Sequence, residues 1–186
     1  MDSTIPSGRS DSERADELSY VEYFHNVDEF VDKGGDSVVK SDEATTGDQW
    51  ETPDHVFSAW DSLFHFCLDG AANSSNHKCA DWFGPGGIEE DGLLADWEPW
   101  YRRGNIWLNP PYSRGTQRRF VEKAIADWYQ SGCSNTCVML LPADTSTKLF
   151  HEVIWNRGFR VEFLKGRIRF KGATGAPKFG NMVVIL

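Results

Sequence analysis

The sequence lacks the features that mark membrane-spanning, secreted and zinc-binding proteins. No apolar run approaches the roughly eighteen residues of a membrane span, and the acidic, serine-rich start has no basic segment of the kind found in signal peptides. The four cysteines contain no pair of CxxC elements, and Cys133-x₃-Cys137 alone is a weak metal signal. We therefore expect an intracellular protein with free, mostly buried thiols and no metal site.

Basic residues are scarce in the first hundred positions and common afterwards. Residues 1–48 hold 13 acids and 4 bases, and residues 49–100 hold 10 and 1, so each segment has a net charge of −9. Residues 101–186 hold 5 acids and 14 bases, a net charge of +9. Because contacts with phosphate depend on local potential, this basic half can bind nucleic acid although the chain is acidic. The alternative is an intramolecular balance between residues 49–100 and the basic half.

The first 46 residues differ in composition from the rest of the chain. They are rich in Ser, Asp, Glu and Gly and have one short amphipathic patch, so we expect a disordered or loosely docked acidic arm. Such an arm either solubilises the protein or competes with the phosphates of a nucleic acid. The remainder, residues 47–186, has enough apolar residues for one folded domain.

The most informative stretch is Asn109-Pro110-Pro111-Tyr112, which directly follows the apolar run 106–108. Two adjacent prolines fix two φ angles and remove two backbone donors. In a loop after a strand, Asn109 Oδ1 and the Pro110 carbonyl are acceptors for the two hydrogens of one planar NH₂ group, and Tyr112 offers a ring for stacking. This pattern favours a site for an aromatic amine; the alternative is a rigid proline turn that ends a strand.

Asn-Pro-Pro-Tyr resembles the catalytic motif of amino-methyltransferases that use S-adenosylmethionine. Its context, Ile-Trp-Leu-Asn-Pro-Pro-Tyr-Ser, resembles the phage-type DNA N6-adenine methyltransferase (Dam) family, as do Gly-Arg-Ile-Arg-Phe at 166–170 and Ala-Pro-Lys-Phe-Gly at 176–180. The resemblance covers residues 49–186. It implies methyl transfer to the exocyclic amine of an adenine flipped out of double-stranded DNA, in the cytoplasm of a host cell. The catalytic residues would be Asn109, Pro110, Pro111 and Tyr112.

Hydrophobic periodicity predicts an alternation of helices and strands. We expect a helix from Pro53, capped by Thr52, to about residue 63, and a further helix at Thr116–Gln130. The other expected elements are strands at Phe64–Leu68, before Asn109 and at Thr136–Leu141, a helix at about 147–156, a hairpin of Phe159–Leu164 with Arg167–Phe170, and a closing strand at Asn181–Leu186. This order indicates an α/β fold with a doubly wound, mostly parallel sheet and a β-rich C-terminal end, of the Rossmann-like methyltransferase type.

The resemblance also implies which residues hold the cofactor. By analogy S-adenosylmethionine would contact residues of the Trp-x-Thr-Pro and Asp-x-Ala-Ala segments and an aspartate before the catalytic strand. These residues are Trp50, Thr52, Pro53, Asp69, Ala71 and Asp91. A glycine-rich G-x-G loop is missing, so the cofactor assignment does not rest on that fingerprint. For Asp69 the alternative is a turn or cap residue.

Three arginines follow the motif and are candidates for DNA phosphate contacts: Arg114, Arg118 and Arg119. A solvated helix face is the alternative. Base-edge contacts would come from the 73–104 connection, the loops after Ser113, or the 165–175 region. Trp82, Trp97 and Trp100 in that connection are typical of core rather than of base stacking.

Other functions fit the same motif. Related amino-methyltransferases act on RNA bases, on cytosine N4 and on a protein glutamine amide, since each substrate presents a planar NH₂. A catalytically inactive DNA-binding or decoy protein would keep the pocket shape without needing the cofactor.

Overall fold

The computed structural model describes residue 48, residues 50–175 and residues 177–186, with Arg114 described by its backbone alone. The acidic arm expected at residues 1–46 lies outside the described residues. Within them, no helix is both long and apolar enough to cross a membrane.

A five-stranded sheet is the centre of the described part of the chain. Its strands are β1 (Phe66–Asp69), β2 (Asn105–Leu108), β3 (Cys137–Pro142), β4 (Arg160–Phe163) and β5 (Asn181–Ile185). The spatial order is β1-β2-β3-β5-β4. β1, β2 and β3 are parallel, and β5 is antiparallel to both of its neighbours, β3 and β4. Four strands therefore run in one direction, so the fold is a mixed α/β fold with a mostly parallel sheet.

Within the described residues, helical segments accompany the sheet. They are α1 (Asp54–Phe64), α2 (Glu98–Arg103), α3 (Arg114–Gln130), a π-helical turn (Leu149–Ile154) and a short 3₁₀ helix (Trp155–Arg157). The expected cap at Thr52 is wrong, because Pro53 occupies the N-cap of α1 and no side chain caps it. The regular helix expected at 147–156 is also replaced by the π-helical turn and the 3₁₀ helix.

The expected C-terminal hairpin is wrong. β4 pairs with β5 instead of with residues 167–170, which form no strand. Alternating arginines and apolar residues at 167–170 suggested a strand, but Phe170 is buried against the Trp50 ring, and Lys171 makes an isolated bridge with Glu51. β5 is consequently an interior strand, which explains its nearly continuous apolar sequence.

The core lies around the middle of the sheet. Met139, Val183 and Val184 are fully buried, and so is Trp97 from the 73–104 connection, as expected for a core residue. The Trp97 N–H donates to Asp127 Oδ2 of α3 at 3.2 Å, so this long connection is packed onto the domain. The four cysteines are free: Cys79 and Cys137 are buried, Cys67 is half-buried and Cys133 is exposed.

Candidate active site

A cleft of about 230 Å³ opens at the carboxyl edge of the sheet, where β1 and β2 end side by side. Its walls come from three segments, at residues 48–52, 69–92 and 107–111, with Phe120 of α3. Parallel strands bring their carboxyl ends to one edge, and ligands of open α/β sheets bind there. The polar residues that follow β1 and β2 therefore share one cavity.

Asn109 is the first residue after β2 and lines the cleft. Its Nδ2 donates to the Trp50 carbonyl at 3.3 Å, which orients the amide. Its Oδ1 is buried and has no hydrogen-bond partner among the residues that the structure describes. A buried acceptor without a donor costs about 1–3 kcal/mol, so this oxygen favours a ligand that brings an N–H group. Pro110 and Pro111 line the cleft beside it.

Tyr112 belongs to an aromatic cluster, which we define as Trp50, Tyr112, Phe170 and Phe179. The Trp50 ring stacks on Phe170 and Phe179 at centroid distances of 5.5 and 6.2 Å. Tyr112 meets the other three rings edge-on at 5.7–6.2 Å. Its hydroxyl accepts a hydrogen bond from Asn181 Nδ2 at 3.4 Å, and burial raises the pKa of this phenol well above its usual value. The ring is thus held in place and stays uncharged.

Asp69 ends β1 and is 3% exposed. Its Oδ1 accepts the Ala71 N–H at 3.3 Å and its Oδ2 accepts the Lys78 N–H at 3.0 Å. Desolvation raises the pKa of this carboxyl to about 6, although the two backbone N–H groups act in the opposite direction. Asp69 therefore orders the turn after β1, as the turn alternative states, and it also faces the cleft.

Carboxylates dominate the lining of the cleft. The acidic lining residues are Asp48, Glu51, Asp69, Glu90 and Asp91. Against them stands one lining cation, Lys78, whose Nζ is paired with Glu51 at 2.7 Å and with Asp54 at 2.6 Å. This charge balance favours a ligand that carries cationic groups.

Several residues at the cleft were not singled out from the sequence. Gly84 has φ of +129°, and a Cβ there would lie 1.9 Å from the Ala72 carbonyl oxygen. A Cβ on Gly92 would lie 2.7 Å from the Gly70 carbonyl oxygen. Close backbone packing therefore requires glycine at these positions. The glycine-rich composition of the 73–104 connection was the available signal, but the individual positions depend on the fold.

Comparison with known proteins identifies the family. Residues 40–185 match the family described as DNA N-6-adenine-methyltransferase (Dam). The chain belongs to the Dam family. It is 34% identical over 150 residues to the DNA N-6-adenine-methyltransferase of Escherichia phage T1, an alignment that covers 72% of this chain and 58% of the relative. The enzyme of the same name from Haemophilus phage HP1 is 38% identical over 126 residues, 66% of each chain.

A third relative of this Dam-family chain is the putative methyltransferase YfdM of Escherichia coli K12, 38% identical over 69 residues. That alignment covers 36% of this chain and 72% of YfdM. The chain thus spans between 58% and 72% of the lengths of the three relatives. The family resemblance inferred from the motifs is confirmed.

The structure of this Dam-family chain brings most of the expected site residues into one cleft. Those that line it are Trp50, Thr52, Asp69, Ala71, Asp91, Asn109, Pro110 and Pro111. Tyr112 lies in the aromatic cluster and Pro53 at the N-cap of α1, and neither lines the cleft.

The three candidate DNA-contacting arginines lie at the start of α3, outside the cleft lining. Arg118 is ion-paired with Glu122 at 2.8 Å and with Glu152 at 3.7 Å. Arg119 is exposed, and the side chain of Arg114 is outside the described residues.

Proposed function

We propose that this chain is an S-adenosylmethionine-dependent DNA methyltransferase that modifies the exocyclic N6 of an adenine flipped out of double-stranded DNA. The observation that carries the proposal is the buried Oδ1 of Asn109 beside Pro110 in the cleft, which has no partner in the part of the chain that the structure describes. Membership of the Dam family supports it independently. We place its action on DNA in the cytoplasm of a host cell.

We infer a Rossmann-like, doubly wound methyltransferase fold with a β-rich C-terminal end. Two features of the sheet support this assignment: β1, β2 and β3 are parallel, and antiparallel β5 lies between β3 and β4. The cleft lies where such folds bind their ligands, at the carboxyl ends of the strands.

The residues of the cleft fit the cofactor. Its excess of carboxylates suits the ammonium and sulfonium charges of S-adenosylmethionine, and the buried Trp50 Nε1 has no acceptor among the described residues. Trp50, Thr52, Asp69, Ala71 and Asp91 would line its binding site, and Pro53 would support it from α1. When bound, the cofactor supplies an activated methyl group.

Asn109 and Tyr112 would act on the target base. Asn109 Oδ1 and the Pro110 carbonyl accept hydrogens of the adenine amine, which draws that nitrogen towards tetrahedral geometry and localises its lone pair. Tyr112 lies outside the cleft lining, so its ring would have to turn towards the cleft to replace a stacking partner that the flipped base has lost. Pro111 keeps the loop rigid. These residues position an uncharged nucleophile, and no charged base is needed.

Arg114, Arg118 and Arg119 remain candidates for contacts with DNA phosphates. They start α3 immediately after the Asn-Pro-Pro-Tyr loop, so a bound duplex would pass near them. Arg118 would have to exchange its carboxylate partners Glu122 and Glu152 for phosphate.

Replacing Asn109 with Ala tests the proposal. The variant Asn109→Ala removes the unpartnered oxygen, so we expect a loss of methyl transfer of at least about 100-fold, comparable to deleting one transition-state hydrogen-bonding group. Binding of S-adenosylmethionine should stay within a few-fold of wild type. The exposed Asn156 in the 3₁₀ helix provides the matched control Asn156→Ala, for which both quantities should be unchanged.

The assay uses tritiated S-adenosylmethionine and DNA of mixed sequence, followed by nucleoside analysis. The expected product is N6-methyl-2′-deoxyadenosine. Label in cytosine, RNA or protein, or wild-type turnover by Asn109→Ala, would contradict the proposal, and so would absence of cofactor binding by the wild-type chain.

A further inference from the structure

The connection between β4 and β5 is the most basic segment of the described chain near the cleft. We define the basic strap as residues 164–180, of which Ala176 is not described. It contains five Lys and Arg residues and no Asp or Glu. Because β4 ends and β5 begins at the carboxyl edge of the sheet, the strap emerges on the same edge as Asn109.

Both ends of the strap are attached to the sheet. The Leu164 N–H donates to the Asn181 carbonyl at 2.9 Å, and the Ala143 N–H donates to the Gly180 carbonyl at 2.8 Å. Near its middle, Lys171 and Glu51 exchange backbone hydrogen bonds of 3.0 and 3.2 Å. The strap is therefore joined directly to the segment that carries Trp50.

Side chains of the strap strengthen this attachment. Phe170 and Phe179 pack on Trp50 in the aromatic cluster. Lys171 Nζ lies 2.7 Å from Asp54 and 3.1 Å from Glu51, and its hydrogen bond to Asp54 is the main reason that the pKa of Asp54 falls to about 2. These contacts hold the strap beside the Tyr112 ring.

Three other basic side chains of the strap take no part in attaching it, as far as the described residues show. Arg167, Arg169 and Lys178 are exposed, and the structure gives them no carboxylate partner among the described residues. Arg103 and Arg118, by contrast, are paired with Asp81 and Glu122. Unpaired guanidinium and ammonium groups on a fixed backbone are suited to phosphate, whose charge they neutralise with release of counterions.

We propose that Arg167, Arg169 and Lys178 bind the phosphate backbone of duplex DNA and thereby hold the target strand over the cleft. The inference rests on the proposed function and adds a phosphate-binding surface beyond the arginines of α3. We assign a DNA duplex to this surface for two reasons. The strap is positively charged and contains no acidic residue, and it lies next to the proposed site for a base flipped out of a duplex. The strap would thus position the DNA without reading its sequence.

The test measures binding of a fluorescent 30-base-pair duplex to the full chain over a range of KCl concentrations. The slope of log K against log salt is negative, and each lost phosphate contact reduces its magnitude by about 0.9. Arg167→Ala with Arg169→Ala should therefore reduce this magnitude by about 1.8 and weaken binding roughly 10-fold to 100-fold at 0.1 M salt. Lys178→Ala should remove about one further unit. S-adenosylmethionine binding should be unaffected.

Arg157 is the matched control, because it is an exposed arginine that precedes β4 at the opposite edge of the sheet. Arg157→Ala should leave the salt slope and the affinity unchanged. An unchanged slope in the strap double variant, an equal loss in Arg157→Ala, or a strap effect seen with RNA but not with duplex DNA would overturn the inference.

The same measurements separate this inference from the proposed function. If the wild-type chain methylates DNA while the strap variants bind duplex like wild type, the strap inference fails and the methyltransferase assignment stands. If the wild-type chain binds the cofactor but neither binds nor methylates DNA, the proposed function fails and the inference with it.

Discussion

Asn109 and Asp69 are polar residues placed at the same sheet edge in opposite hydrogen-bonding states. Both Asp69 oxygens accept backbone N–H groups, whereas Asn109 Oδ1 has no partner among the described residues. The oxygens of Asp69 are therefore saturated by its own chain, whereas Asn109 keeps its acceptor capacity for a ligand. The direction in which Asn109 Oδ1 points is set by the hydrogen bond from Asn109 Nδ2 to the Trp50 carbonyl.

The raised pKa of Asp69 predicts a particular dependence of stability on pH. The folded protein retains this proton up to about pH 6, whereas the unfolded chain releases it near 3.8. The stabilisation is thus fully present below pH 3.8 and is lost as pH rises through about 6, a change on the order of 3 kcal/mol. His77 and Lys78 are the charged neighbours that oppose the shift.

The measurement is the free energy of unfolding in urea from pH 4 to pH 7 for wild type and Asp69→Asn. The asparagine cannot titrate, so the wild-type advantage should shrink as the pH rises over this range. A difference between the two proteins that does not change with pH would show that the Asp69 pKa is unshifted.

β1 ends at a tightly packed glycine next to the cleft. The strand stops at Asp69, and Gly70 follows with its N–H donating to the Trp107 carbonyl at 2.8 Å. A Cβ on Gly70 would lie 2.4 Å from the buried Trp97 ring. The end of β1, β2 and the 73–104 connection therefore meet at one glycine, which lies in the chain between the cleft-lining residues Asp69 and Ala71.

Substituting Gly70 tests this packing. Gly70→Ala should destabilise the protein by about 1–3 kcal/mol, because the added methyl group forces the fully buried Trp97 to move. The control is Gly115→Ala in α3, where the added Cβ meets nothing within 4 Å; alanine should be neutral or stabilising there by up to about 1 kcal/mol. Thermal unfolding of both variants checks the prediction. Equal stability of the two would mean that Trp97 does not pack on this backbone.

Over the whole described molecule, opposite charges are concentrated at the same edge of the sheet. The cleft is lined by an excess of carboxylates, and the basic strap lies beside it on the segment between β4 and β5. This arrangement allows a cationic small ligand and an anionic polymer to bind next to each other, each attracted by its own local potential. The acidic net charge of the chain does not describe either surface.

Ligand binding should be visible in the stability of the whole domain. S-adenosylmethionine at 100 times its dissociation constant should stabilise the folded protein by about 2.7 kcal/mol, which raises Tm by roughly 5–10 °C for a domain of this size. Asn109→Ala should show the same rise, since Asn109 is assigned to the base. A Tm that does not respond to millimolar S-adenosylmethionine would contradict the assignment of the cleft.

Local patterns were sufficient for much of the fold and the site. The spacing of apolar residues predicted α1, α3, β3 and the strand before Asn109, because these elements bury a regular face or run. The same reasoning failed at 167–170, where the alternating residues form no strand and Phe170 packs on Trp50 instead. It also failed at Thr52, because the helix starts after Pro53 and no described side chain caps it. The first error arises from a contact between segments more than a hundred residues apart, and the second from the local geometry of Pro53.

By itself, the sequence determined the family, the α/β class with a mostly parallel sheet and the identity of the Asn-Pro-Pro-Tyr loop, because strand composition and proline geometry act locally. Tertiary structure alone decided that β5 enters the sheet between β3 and β4, that no described residue donates to Asn109 Oδ1, and that the basic strap lies beside the cleft. These features depend on which distant segments meet when the apolar surface is buried, and that choice is made by the packing of the whole domain.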